Sequence, residues 1–120
     1  MKNLKEEDFE IEVANKDKAI QLLWKGSLHA ANPGDFLEPY FEQLINQARA
    51  DSLSVVCDFS NLEYMNSASI PPLIQLLRSL AEMEIKGEFI YDSSRKVQAA
   101  SFRALDVIAS KSEYTTVRGV

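Results

Sequence analysis

Apolar and acidic residues alternate along Phe9-Glu-Ile-Glu-Val13, the period-two pattern of a strand with one face in water. Polar Asn15-Lys-Asp-Lys18 reads as a turn, and Ala19-Ile-Gln-Leu-Leu-Trp-Lys25, closed by Gly26, as a second strand. So short a turn predicts an antiparallel hairpin. After the loop Asn32-Pro-Gly-Asp35 the period becomes helical, with Leu37, Tyr40, Phe41, Leu44, Ile45 and Ala48 on one stripe. Asp35 and Glu38 have the spacing of a capping box at its start. Ser54-Val-Val-Cys-Asp-Phe59, rich in β-branched residues, predicts a buried central strand. Ile70, Leu73, Ile74, Leu77, Leu80 and Ala81 mark a second helix, and Glu88-Phe-Ile-Tyr91 a strand after a turn at Gly87. Val97, Ser101, Ala104, Leu105 and Ile108 mark a third helix with its N-cap in Asp92-Ser-Ser94, and Tyr114-Thr-Thr-Val117 a last strand. The order β-β-α-β-α-β-α-β predicts an α/β fold: a single mixed sheet, mostly parallel, with an N-terminal antiparallel hairpin and helices packed mainly on one face.

The 120 residues are enough for one domain, 1–120, with a substantial core. The formal net charge is −5 and the lysines and arginines are scattered, so nucleic acid is not an expected partner. Met1–Glu10 lacks the apolar core of a secretory signal, and no apolar run approaches the ~20 residues that span a bilayer. Direct membrane insertion is therefore not expected. The single cysteine, Cys57, allows no internal disulfide, which fits a reducing, cytoplasmic setting. Cys57 and Trp24 read as core residues. His29 is the one histidine and has no ligand-spaced companion, so no metal site is expected. Asp58 could serve Ser60 or Ser67 as a base, but no His or Lys completes a nucleophile pair. A Gly-rich phosphate loop is missing too. The expectation is a protein without catalysis or cofactor.

One stretch resists a purely structural reading. In Asn66-Ser-Ala-Ser-Ile-Pro-Pro72 two serines precede two prolines. Proline lacks an amide hydrogen and is tolerated only in the first helical turn. A helix capped by Ser69 places both prolines there; one capped by Ser67 would lose two backbone bonds. The sequence thus predicts a helix start at Ser69, with Ser67 in the preceding turn. Helix starts favour negative charge, and a phosphate on Ser67 would add about −1.5 to −2. Serines in such positions are most often only caps, so the residues alone leave both roles open.

The strand Ser54–Phe59 followed by Asp58-Phe-Ser-Asn-Leu-Glu-Tyr-Met-Asn-Ser-Ala-Ser-Ile-Pro-Pro-Leu73 resembles the signature of STAS domains, the family of sulphate transporters and anti-sigma-factor antagonists. That signature is a strand ending in Asp-x-Ser, a short loop, then Asp-Ser-Ser-Gly-Leu-Gly opening a helix. Asp58 and Ser60 match the first part, and Asn66, Ser67, Ala68, Ser69, Ile70 and Pro71 lie over the second. Trp24-Lys-Gly-Ser-Leu28, Lys86–Tyr91 and Arg95–Leu105 are similar to the family's second strand end, fourth strand and third helix. The chain departs from the pattern at Asn66 (acidic in the family), Ala68 (serine), and Ser69 and Pro71 (glycines). His29 and Ala104 stand where an acidic residue and a glycine are usual.

The resemblance implies a phosphorylation-switched binding protein. Ser67, or alternatively Ser69, would be the modified residue. Asp58, Ser60, Asn66, Ser67, Ala68, Ser69 and Ile70 would form the partner-binding lip. The implied partners are a serine kinase of histidine-kinase-like type or an anti-sigma factor, bound when Ser67 is unphosphorylated, and a PP2C-type phosphatase that restores that form. The family also implies an alternative, a permanent accessory subunit of an ABC transporter or sensory assembly, in which no phosphate takes part. A small-ligand role has no pocket-forming signal in the sequence.

Overall fold

The computed structural model describes residues 1–120. Seven strands and three helices follow in the order β1 (Leu4–Glu6), β2 (Phe9–Lys16), β3 (Ala19–Leu28), α1 (Gly34–Ala50), β4 (Ser54–Asp58), β5 (Leu62–Met65), α2 (Ile70–Glu82), β6 (Gly87–Tyr91), α3 (Lys96–Ala109) and β7 (Thr115–Gly119). They form one mixed sheet in the order β1-β2-β3-β4-β6-β7, with β5 paired to β3. The β1–β2 and β2–β3 pairs are antiparallel and all others parallel. The sequence expectation of a mostly parallel sheet led by a hairpin holds, with β1 and β5 added to it.

The hairpin turn is two residues, Asp17 and Lys18, both at positive φ (55° and 60°), the backbone that matches the twist of paired strands. From β3 the chain moves one way across the sheet through β4, β6 and β7. Parallel crossovers share one hand, so α1, α2 and α3 all fall on the same face, side by side. That face holds the core. Trp24, Phe59 and Phe102 meet with ring centroids 4.6 and 4.7 Å apart, and Phe9, Phe41 and Phe89 close around them. The opposite face carries Glu10, Glu12, Lys25, Glu88 and Arg118, with ion pairs Lys25–Glu12 (2.8 Å) and Arg118–Glu88 (3.2 Å). No helix is long and apolar enough to cross a membrane.

Several local expectations are corrected. Gly26 does not end β3; it lies inside it at φ +79°. A Cβ there would meet the Asp8 carbonyl oxygen at 1.9 Å, so only glycine fits. Gly87 is the buried first residue of β6, packed against Leu80, and the turn falls at Glu84 (φ 56°). The capping box of α1 does not form: Pro33 occupies the cap position and Asp35 lies inside the first turn, where its charge suits the helix dipole. The α1 stripe packs as expected, with Leu37, Tyr40, Phe41, Leu44 and Ala48 buried and Ile45 partly so. The α3 stripe is out of phase. Ala99, Phe102, Leu105 and Ala109 are buried, whereas Val97 is 76% exposed and Ala104 faces water. Phe102, the largest apolar residue of α3, sets the phase by stacking on Tyr91 (5.2 Å, 10°).

Candidate functional site

Serine-bearing residues gather at the carboxyl ends of β3 and β5, and the backbone explains how. β3 pairs with β4 only as far as Leu23↔Asp58. Beyond that, Asp58 turns the chain: its Oδ1 accepts from the Ser60 amide (2.9 Å) and hydroxyl (2.6 Å). The chain then runs forward as β5 beside the outer part of β3, with Gly26↔Leu62, Ser27↔Tyr64 and Leu28↔Met65 in register and an irregularity at Gly26/Ser27. The positive φ of Gly26 makes that bulge. The Arg95 guanidinium (2.7 Å) and the Gln98 amide (3.2 Å) donate to the Leu62 carbonyl, fixing the start of β5 to α3.

At the far end of β5 the chain enters a 3₁₀ turn, Ser67–Ser69, that runs into α2 at Ile70. The prolines dictate this shape. The residue four after Ser67 is Pro71, which has no amide hydrogen, so the Ser67 carbonyl takes a bond from Ile70, three residues on. Ala68 faces Pro71 and Pro72 and receives no helical bond at all. The predicted start of α2 is correct, and Ser69 occupies its cap position without a capping bond. Ser69 is itself helical (φ −80°, ψ −16°). Ile70 is helical too (φ −67°, ψ −47°), although a residue before proline usually avoids that region.

Asn66 organises the turn. Its amide nitrogen Nδ2 donates to the Ala30 carbonyl (2.7 Å), and its Oδ1 accepts the Ser69 hydroxyl (2.7 Å). Its backbone N–H donates to the Leu28 carbonyl (3.1 Å) and its carbonyl accepts the Ser69 N–H (3.1 Å). Asn66 therefore joins β3, the 3₁₀ turn and the start of α2. An aspartate could supply only the acceptor half of this side-chain pattern. Ser69 is fully buried and its hydroxyl is engaged. Ser67 and Ala68 are exposed, and the Ser67 hydroxyl takes no part in the bonding of the turn.

Of the candidate residues, Asn66, Ser67, Ala68, Ser69 and Ile70 thus lie together. Asp58 and Ser60 hold the other end of β5, a strand of four residues that spans about 13 Å at 3.3 Å per residue. The expected lip is two turns separated by a strand, not one continuous surface. Between them the sequence reading missed Tyr64 and His29, whose rings stack at 4.6 Å and 21°; Tyr64 is 43% exposed. No sequence signal marked Tyr64, because β5 is too short to show a period. Asn66 could have been found, since Asn66 and Ser69 stand at cap spacing.

Two ionisable groups of the core are shifted by their surroundings. Burial pushes the Cys57 thiol up, since Cys57 is fully buried, and the buried Trp24 Nε1 has no hydrogen-bond partner. Burial also raises the Tyr40 hydroxyl to about 12; it donates to the Lys2 carbonyl at 2.7 Å and ties the N-terminal segment to α1.

No protein-family model matches the chain, and no curated protein matches it significantly in sequence. Among solved structures it matches one described as diguanylate cyclase SiaD in complex with its activator SiaC, from Pseudomonas aeruginosa. The similarity is to SiaC, at TM-score 0.69 and 13% identity over 98% of both chains. At that identity the match shows the fold, which is shared from end to end.

Proposed function

We propose that the chain is a protein-binding regulator of STAS type whose docking surface surrounds Ser67, and that phosphorylation of Ser67 switches it. In this reading it is a binding module, not an enzyme. The observation that carries the proposal is Ser67 standing exposed beside two stretches that carry no charged side chain. No Asp, Glu, Lys or Arg occurs from Tyr64 to Leu77, nor from Gly26 to Gly34, and the β3–β5 pairing sets these two stretches side by side. Acidic residues border these stretches, Glu6, Glu7 and Asp8 beside Ser27–Ala30 and Glu38 beside Gly34. A partner surface fitted to this neutral centre with its acidic border would meet a phosphate of about −1.5 to −2 as a further negative charge at the centre. Ser69, buried and hydrogen-bonded, offers no comparable target. The SiaC resemblance supports a regulatory role through a protein partner, since that protein is described as the activator of the enzyme it is bound to. The partner classes expected here are a histidine-kinase-like serine kinase or anti-sigma factor and a PP2C-type phosphatase, in the cytoplasm.

The test is binding of Ser67→Ala and Ser67→Asp proteins to a serine kinase encoded beside this chain's gene. The alanine variant should bind and the aspartate variant should bind at least about tenfold more weakly, roughly 1.4 kcal/mol. Equal affinities would remove the switch. The rigidity of the turn, four bonds to Asn66 and two prolines, also favours a second reading, a permanently docked accessory subunit of a transporter or sensory assembly. Intact mass of the protein from its own host separates the two: a phosphorylated species belongs to the switch, and its consistent absence to the permanent subunit.

A further inference from the structure

We propose that the groove between α1 and α2 is an anchor site for a helix of the partner protein, taking one large apolar side chain flanked by cationic residues. This rests on the reading of the chain as a protein-binding regulator and assigns a second contact to it. The groove has a volume of about 240 Å³ and is walled by Phe41 and Ile45 from α1, Leu76 from α2 and Met83 just past the end of α2. Phe41 and Leu76 are buried beneath it, whereas Met83 is 45% exposed. Pockets for free small molecules run to roughly 300–1,000 Å³. This one is below that range, and its size suits a single leucine, phenylalanine or tryptophan side chain of the kind that anchors protein interfaces.

The rim decides the partner's charge. Glu38 and Glu42, one turn apart on α1, border the groove, and Arg49 stands farther along the same helix. None of the three takes part in an ion pair. Both helices run from the carboxyl ends of the strands back to the amino ends, so the groove has a direction. Its acidic end lies by Gly34, where Glu38 and Pro72 approach within 3.6 and 3.7 Å of a Cβ position. Pro72 belongs to the first turn of α2, directly after the turn that carries Ser67. A helix laid into the groove would therefore set basic residues near that turn, opposite Glu38 and Glu42, and one apolar anchor against Ile45 and Leu76.

A displayed library of amphipathic helical peptides, selected on the full chain, tests this. The recovered peptides should carry a large apolar residue flanked by Lys or Arg, and should lose at least about tenfold in affinity for Ile45→Glu. A Glu38→Lys/Glu42→Lys double variant, changed only at exposed positions, should turn the preference to acidic flanks. Ser67→Asp should leave these peptides bound, so loss of the phosphate switch and loss of the groove are read separately. Recovery of no binder, or of binders indifferent to both groove variants, would overturn the assignment.

Discussion

Every polar group of Asn66 is occupied in presenting Ser67, which makes Asn66 the most sensitive position of the turn. Asn66→Ala leaves the Ala30 carbonyl and the Ser69 hydroxyl without their partners. Part-buried groups left unsatisfied cost about 1–3 kcal/mol, so the urea midpoint should fall by that equivalent. Asn66→Asp should also destabilise, because a carboxylate would face the Ala30 carbonyl where an amide now donates. Gly26 is the second such position. Gly26→Ala forces a side chain into positive φ and onto the Asp8 carbonyl. The backbone conformation alone costs about 1–3 kcal/mol, and calorimetry should show Tm lower by about 4 °C or more. If Gly26→Ala melts with wild type, the bulge that delivers Leu28 to Asn66 is not held by its glycine.

The elements show which local rules prevailed. The hairpin, α1 and the start of α2 were legible because each carries a strong period or a proline that leaves one placement. β5 was not, since four residues with Glu63 and Tyr64 exposed show no alternation; it is a strand only because β3 outruns β4 and needs a neighbour. The α3 stripe was misphased because it was drawn through Val97 and Ile108 and left out Phe102, and packing follows the largest ring. The proline argument placed Ser69 at the cap position correctly, but it gave no sign that the entry would be a 3₁₀ turn, in which the Ser69 hydroxyl bonds Asn66 instead of the helix amides. The same argument predicts an engineered change. Pro71→Ala restores an amide four residues after Ser67, which should close a regular helical bond and give a protected amide at position 71 in hydrogen exchange. An unprotected amide there would mean that the 3₁₀ turn owes its shape to Asn66 rather than to the prolines.

For the molecule as a whole, acid sensitivity has one identifiable contributor at the β6–α3 junction. The Ser94 hydroxyl and amide, and secondarily Arg95, hold the Asp92 carboxyl below its ordinary value of 3.8. A carboxyl lowered by folding binds its proton more readily when unfolded, so its contribution is present above the ordinary carboxylate range and is lost as pH falls through the folded value. Asp92→Asn should therefore flatten stability against pH below about 4 and leave a constant offset above it, measured by denaturant titration at stepped pH. An unchanged acid limb would assign that limb to other carboxylates. Asn66–Ile70 lie together because they are consecutive in the chain, whereas the separation of Asp58 and Ser60 from them depends on β5 and was not legible. The order of strands has a practical corollary. β1 and β7 are the two outer margins of the sheet, five inter-strand gaps or about 24 Å apart at 4.8 Å each. Fluorophores attached near Leu4 and Gly119 would sit within energy-transfer range while the protein is folded and would report unfolding in the same cuvette in which a docking event is being followed.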